Sequence, residues 1–334
     1  MSDSRDNADL AGSRSAVGRG KVALTSLVGA LFALGGLGFV VQRIASTWDE
    51  TGPVLRSADG WWLIVALGLG FAGMTAIALP WVAVVRAVGG ALSPMTAVLT
   101  YFVGEIGKYL PGGVWPVVGR GELAVRSGVR RTVAYSSVLF SLALLYLAAL
   151  LLAVGLFPLA LASGGTSSTP MLLVLLVPVG LAMLHPKVLT PVLGGLGRLT
   201  RRDIAIVPPT WTVMVGLVLR YIPAWILIGS STWAVSRALS AEIGWVEICL
   251  ATVLSWAAGF LVAPAPGGVG IREAAFVAVA ASMPSGIAAA VALCARLVFM
   301  LVDAAAAAVC GLVLASRRRR SAATPGGVRD SVRG

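Results

Sequence analysis

Residues 101–120 read YFVGEIGKYLPGGVWPVVGR, and residues 256–273 read WAAGFLVAPAPGGVGIRE. A shift of 155 places Gly104 on Gly259, Pro111 on Pro266, Gly112 on Gly267, Gly113 on Gly268 and Val114 on Val269. In both copies an apolar helical run is broken by Pro-Gly-Gly and then meets an arginine, Arg120 or Arg272. Proline removes a backbone donor and glycine weakens a helix, so each copy predicts two helical arms joined by a break. In the first copy each arm is too short to cross a hydrocarbon core about 30 Å thick. The reading is a re-entrant hairpin that enters and leaves the membrane on one side. The alternative is an ordinary span kinked at Pro-Gly-Gly.

The membrane setting follows from composition. The 334 residues are 58% hydrophobic and 12% charged, with a mean hydropathy of +0.91. A soluble domain carries about 25% charged residues. Apolar runs long enough to span lie at 22–41, 61–85, 132–156, 171–184 (with its flanking Pro170 and His185), 209–235 and 287–314. The expected fold is an all-α polytopic membrane protein with six full spans plus two re-entrant helical hairpins in an inverted repeat. Its alternative is eight kinked transmembrane helices. A single transmembrane domain over 21–315 would hold repeat halves at about 95–156 and 245–314. The polar ends, 1–20 and 316–334, read as disordered tails. Trp61, Trp62 and Trp81 lie near the ends of the second span, as in an interfacial aromatic belt.

Orientation is read from charge. The formal net charge of +12 invites a nucleic-acid reading, but the positive residues sit in short blocks between apolar runs and no nucleic-acid motif accompanies them. With both termini and the loops 86–94, 119–131 and 185–206 placed in the cytoplasm, that side carries +13 and the opposite loops −1. Positive loops stay inside. The expected location is therefore the cytoplasmic membrane, with both termini cytoplasmic. The first hairpin then dips in from the cytoplasm and the second from outside, which relates the two copies by inversion. Inverted repeats with broken helices are a known transporter architecture.

Charges inside apolar runs are expensive and usually face the bundle interior. Glu105 and Lys108, three apart, share a helix face, as do Arg296 and Asp303, seven apart. Arg220 interrupts the run 209–235, and Arg272 and Glu273 follow the second break. The breaks Pro111, Gly112, Gly113 and Pro266, Gly267, Gly268 free backbone groups at membrane depth, and a helix restarting there would favour an anion. Guanidinium groups suit a phosphate, so Arg120, Arg220, Arg272 and Arg296 are candidate phosphate ligands. Glu105, Lys108, Asp303 and Glu273 would balance them, and Glu105 is the candidate proton carrier. Structural alternatives stand beside these: Arg120 as a positive-inside residue, and Arg272 paired with Glu273. Cys249, Cys294 and Cys310 lie in apolar runs without CxxC spacing and read as small apolar fillers. No catalytic set, metal site or cofactor motif emerges, and none is expected.

The segments GEIGKYLPGGVWPVVGR and PAPGGVGIREAAF resemble the lysylphosphatidylglycerol synthase transmembrane-region family, also called the flippase-like membrane family. The similarity covers roughly residues 22–315. Its motifs fall on Gly104, Glu105, Gly107, Lys108, Pro111, Gly112, Gly113, Gly119 and Arg120, then on Pro266, Gly267, Gly268, Gly270, Arg272 and Glu273. Multidomain members join such a membrane unit to a cytosolic aminoacyl-transfer domain, and the membrane unit is credited with moving the product lipid. That domain is not seen here, so aminoacyl-lipid synthesis is not expected. Glu105 departs from the family, which often has asparagine there. The resemblance implies translocation of an anionic phosphate-headgroup lipid: phosphatidylglycerol, its aminoacyl derivative or a polyprenyl-phosphate carrier. The partners implied are membrane lipids and a separate lipid-modifying synthase. A membrane-embedded lipid or sugar-lipid transferase and a non-catalytic partner of a lipid-modifying enzyme are the alternatives.

Overall fold

The computed structural model describes residues 58–109, 114–163, 209–261, 270–323 and a few positions between 178 and 188. The expected spans at 22–41 and 171–184 therefore lie outside the described residues, isolated positions of the second excepted, as do both Pro-Gly-Gly breaks. Among the described residues every regular element is helical. In chain order these are α1 (Gly60–Ala87), α2 (Pro94–Glu105), a 3-10 turn (Ile106–Tyr109), α3 (Trp115–Arg126) and α4 (Arg131–Ala162). Then come α5 (Trp211–Leu219), α6 (Ile222–Ala238), α7 (Trp245–Leu261), α8 (Ile271–Val279) and α9 (Ser285–Ala323).

Local chemistry sets the ends of these helices. The Asp59 carboxylate accepts from the Trp61 N–H at 2.9 Å and caps α1. Ser93 caps α2 by accepting from Thr96 N at 3.1 Å, with Pro94 in the first turn, where its missing N–H is not needed. Pro223 has the same place in α6, so the rod Trp211–Ala238 bends at Arg220–Tyr221 without ending. Glu247, buried in the first turn of α7, accepts from the backbone N–H (3.2 Å) and hydroxyl (2.6 Å) of Ser282. That contact pins the α8–α9 turn to the start of α7.

Counting the bent rod as one gives eight α-helices among the described residues, and four of them are long and apolar enough to cross a membrane. They are α1 (28 residues), α4 (32), the α5–α6 rod (28) and Ser285–Arg317 of α9 (33). The fold is thus that of an all-α polytopic membrane protein. The remaining helices are short. At 1.5 Å per residue, the 12 residues of α2 and of α3 reach only about 18 Å. The 9 residues of α8 reach less, while α7, with 17, lies at the lower limit for a span. Each short pair packs on itself, α2 on α3 and α7 on α8.

One shift relates the two halves. Adding 155 to Pro94–Glu105 gives 249–260, inside α7, and adding it to Trp115–Arg126 gives 270–281, which covers α8. Residues 131–162 become 286–317, inside α9, and 60–87 become 215–242, which covers α6. Packing follows the same exchange. Helix α4 packs on the second arm of its own hairpin, α3, and on the first arm of the other, α7. Helix α9 likewise packs on α8 and on α2. At the centre α1 lies against α6, and the two run antiparallel. Asp59 N donates to Ala238 O, Ser231 Oγ donates to Ala66 O, and Trp62 meets Trp233 edge-on.

In apolar surroundings each buried polar group needs a partner within the protein. Tyr221 and Ser141 share a hydrogen bond of 2.8 Å, and Trp225 Nε1 donates to Leu145 O at 2.8 Å. Trp81 corrects the aromatic-belt reading. It is fully buried and donates from Nε1 to Ser137 Oγ at 3.0 Å, so it belongs to the core, whereas Trp61 is 68% exposed. The three cysteines are buried and unpaired, and Cys249 packs where α6 meets α7. A β-carbon on Gly229 would lie 2.3 Å from Cys249 Sγ and 3.0 Å from its Cα, so only glycine lets these helices approach so closely. One on Gly155 of α4 would meet nothing within 4 Å. Gly229→Ala is therefore expected to lower the thermal midpoint in detergent, at an overpacking cost of about 1–3 kcal/mol. Gly155→Ala should match or exceed wild type.

Candidate functional site

The first hairpin is built around a glycine contact. A β-carbon on Gly104 would lie 2.6 Å from Arg120 Cγ and 2.8 Å from Arg120 N, so α2 and α3 meet nearly backbone to backbone. This crossing buries Arg120 to 1% exposure and sets its guanidinium carbon 5.3 Å from the centre of the Tyr101 ring. Just beyond the crossing α2 tightens into the 3-10 turn, which swings Lys108 and Tyr109 toward α9. Lys108 Nζ lies 2.6 Å from Asp303 Oδ2 and 3.5 Å from Glu105 Oε1. The Tyr109 hydroxyl donates to the same Asp303 oxygen at 2.6 Å. Lys108 engages Asp303 as an ion pair with no well-aligned N–H, and Asp303 Oδ1 has no hydrogen-bond partner among the described residues. Asp303 is fully buried, and such a carboxylate is tolerable only beside a cation.

The second hairpin contributes its restart. Gly270 has φ +84, a left-handed conformation open to glycine, and α8 begins immediately after it. The Glu273 carboxylate accepts from Gly270 N at 2.7 Å and pairs with Arg296 of α9 through its other oxygen. Sequence reasoning expected the restarted helix to offer its free N–H groups to an external anion. In the structure the protein's own carboxylate takes up the first of them. Arg272 does not pair with Glu273. It lies over Trp256 of α7, with its guanidinium carbon 3.9 Å from the ring centre. Among the described residues it makes no ion pair.

Helix α9 thus reaches the first hairpin through Asp303 and the second through Arg296. Between them sits Trp256, with Lys108 Nζ 5.9 Å from its ring and Phe299 and Trp225 against it edge-on. Two small adjoining cavities, of about 20 and 30 Å³, meet at this point, and both are lined by Trp256, Arg272, Arg296 and Phe299. One extends past Lys108 and Tyr109 and the other past Glu273, Thr252 and Ser255. Six of the eight charged residues singled out from sequence therefore lie around one centre. Arg120 is adjacent but lines neither cavity. Arg220 stands apart, exposed at the α5–α6 bend. The sequence reading missed Tyr109, Trp256, Thr252 and Ser255. Trp256 had a signal, because it falls on Tyr101 in the repeat.

Removing Asp303 should be far worse than removing the pair. Asp303→Leu deprives the buried Lys108 ammonium of its closest carboxylate and is expected to cost about 3 kcal/mol or more. The double variant Lys108→Met/Asp303→Leu should recover most of that loss. Thermal unfolding of the four proteins of this cycle in one detergent measures the difference, and equal destabilisation by single and double variants would contradict the pairing.

No curated protein matches the chain. A family model described as "Lysylphosphatidylglycerol synthase TM region" matches residues 26–314. That range takes in α1 to α8, α9 as far as residue 314 and every charged residue of the cluster, so the chain belongs to the lysylphosphatidylglycerol synthase transmembrane-region family.

Proposed function

We propose that this protein moves a lipid with an anionic phosphate headgroup across the cytoplasmic membrane. The observation that carries the reading is Arg272. It lies over Trp256, lines both cavities and has no carboxylate partner among the described residues. A phosphate beside it would meet two guanidiniums, those of Arg272 and Arg296, in a poorly hydrated site where charge-assisted hydrogen bonds are strong. Phosphatidylglycerol, its aminoacyl derivative and a polyprenyl phosphate share that phosphate chemistry. The acyl or prenyl chains would remain in the bilayer while the headgroup passed between the hairpins.

The proposed architecture is an inverted repeat of two re-entrant hairpins, with both termini cytoplasmic. Its support is the shift of 155, the antiparallel α1–α6 pair and the exchange-invariant packing. A two-fold axis relating antiparallel helices lies across them, and so in the membrane plane. Rocking of one half against the other would expose the site to each leaflet in turn. Asp303 is fully buried and its Oδ1 has no hydrogen-bond partner among the described residues, so it joins Glu105 as a candidate proton carrier. A transferase would need a donor-binding set, and a passive partner would need no charged cavity touching both hairpins. Neither alternative accounts for Arg272.

Transfer of labelled phosphatidylglycerol between leaflets of proteoliposomes tests the reading. Loss of a charge-assisted hydrogen bond costs about 1.5–3 kcal/mol, so Arg272→Ala is expected to slow transfer roughly tenfold or more. Arg220→Ala, altered away from the cavities, should slow it less. Wild-type transfer no faster than in empty liposomes, for each of the three lipid classes, would exclude translocation.

A further inference from the structure

Lys108 stands between the larger cavity, whose wall it shares with Tyr109, Arg272 and Arg296, and the buried carboxylate of Asp303. Its ammonium and the Arg272 guanidinium face the same ring, that of Trp256, at 5.9 and 3.9 Å from the centre. A phosphate taken up by Arg272 therefore comes within reach of Lys108. The ammonium has donors to offer it, since Nζ makes no hydrogen bond among the described residues despite its 2.6 Å approach to Asp303 Oδ2.

The two oxygens of Asp303 differ. Oδ2 accepts from the Tyr109 hydroxyl and faces Lys108, while Oδ1 has no partner among the described residues. The other titratable groups around the pair are Glu105 and Tyr101 of α2, Arg120 of α3, Arg272 and Glu273 of α8 and Arg296 of α9. Arg296 is held by Glu273, Arg272 lies on Trp256 and Arg120 on Tyr101. The remaining helices against α9, α1 and α6, contribute only Arg86 and Arg237, each in a last turn. Among the described residues Lys108 is thus the cation that pairs with Asp303. A phosphate that draws Lys108 away leaves a buried carboxylate without its counter-charge. Burial disfavours that form, and a proton on the free oxygen relieves it.

The device occurs once in the chain, because the shift of 155 puts Ala148 in the place of Asp303 and Ala263 in the place of Lys108. We propose that phosphate and Asp303 compete for Lys108, so that one proton, carried on Asp303 Oδ1, crosses the membrane with each anionic headgroup. The inference rests on the lipid-translocation reading and adds its coupling ion. It also selects Asp303 over Glu105, which lies farther from Lys108, at 3.5 Å, and lines neither cavity. The balance closes without any change to the lipid. On the loading side a proton joins Oδ1 as Lys108 turns to the phosphate. On the unloading side the headgroup departs, Lys108 returns to Oδ2 and the proton leaves. A monoanionic headgroup and one proton carry no net charge across.

The test places the full chain in phosphatidylcholine vesicles with a trace of labelled phosphatidylglycerol and imposes a pH gradient. The leaflet distribution of the label is read once downhill transfer is complete, so the rate of a variant does not enter. At one proton per monoanion the label is expected to gather on the alkaline side, by up to about tenfold per pH unit above empty vesicles. Dissipating the gradient should restore equal leaflets, and a membrane potential alone should not disturb them. Lys108→Met/Asp303→Leu should give equal leaflets under the gradient, with Asp303→Asn in its place if the double variant transfers no lipid. Glu105→Gln should keep the gathering, and it decides alone if neither Asp303 variant transfers lipid. Gathering that follows the membrane potential, that survives in an Asp303 variant, or that is lost in a Glu105→Gln protein still moving lipid would each overturn the proposal. Wild-type label that never moves, with or without the gradient, would sink the translocation reading itself. Label that moves but stays equal between leaflets under the gradient would sink the coupling alone.

Discussion

A fully buried carboxylate on α9, Asp303, constrains this molecule more than any other group. A carboxylate in a poorly solvated interior must be paired or it destabilises the fold. Its partners, Lys108 and Tyr109, come from the 3-10 turn of the first hairpin. Two turns earlier the same helix presents Arg296, which pairs with Glu273 at the start of α8. One long helix therefore clasps two short hairpins through ion pairs of opposite polarity. These pairs, together with the glycine contact at Gly104, tie the short helices α2, α3 and α8 to α9 and to one another.

The two halves share geometry and divide the chemistry. Where α9 meets the first hairpin there is an ion pair. Where α4 approaches the end of α7, Tyr146 stacks on Phe260 with ring centres 3.9 Å apart. The polar contact can be broken and remade by a competing charge, because electrostatics in a low dielectric are strong but exchangeable.

Much of the architecture was legible in the sequence because lipid leaves the chain few options. Backbone groups must be satisfied internally, so apolar runs become helices, and four of the six expected spans are long helices within the described residues. Both Pro-Gly-Gly breaks lie outside the described residues, and short helices stand on either side of the first of them, α2 before it and α3 after it. Less legible was which charges meet. Arg296 and Asp303 shared a face by spacing, but nothing in their spacing said that each would face a different hairpin. Trp81 looked interfacial by its place in the run and proved to be core, because rotation about the helix axis, and not depth along it, decides what a side chain touches.

By itself, then, the sequence determined a helical membrane protein with a motif repeated at a constant shift, and a short roster of intramembrane charges. Both follow from local rules of hydropathy, helix breaking and charge cost, which need no knowledge of neighbours. Tertiary structure alone decided the pairing. Arg272 lies on Trp256 instead of bonding to Glu273, the carboxylate of Glu273 occupies the helix end that had been expected to hold an anion, and Arg120 is shut away while Arg272 opens on a cavity. Such outcomes depend on the packing of helices distant in the chain, because a few ångströms at Gly104 or Gly270 determine whether a guanidinium faces a ring, a carboxylate or an open cavity.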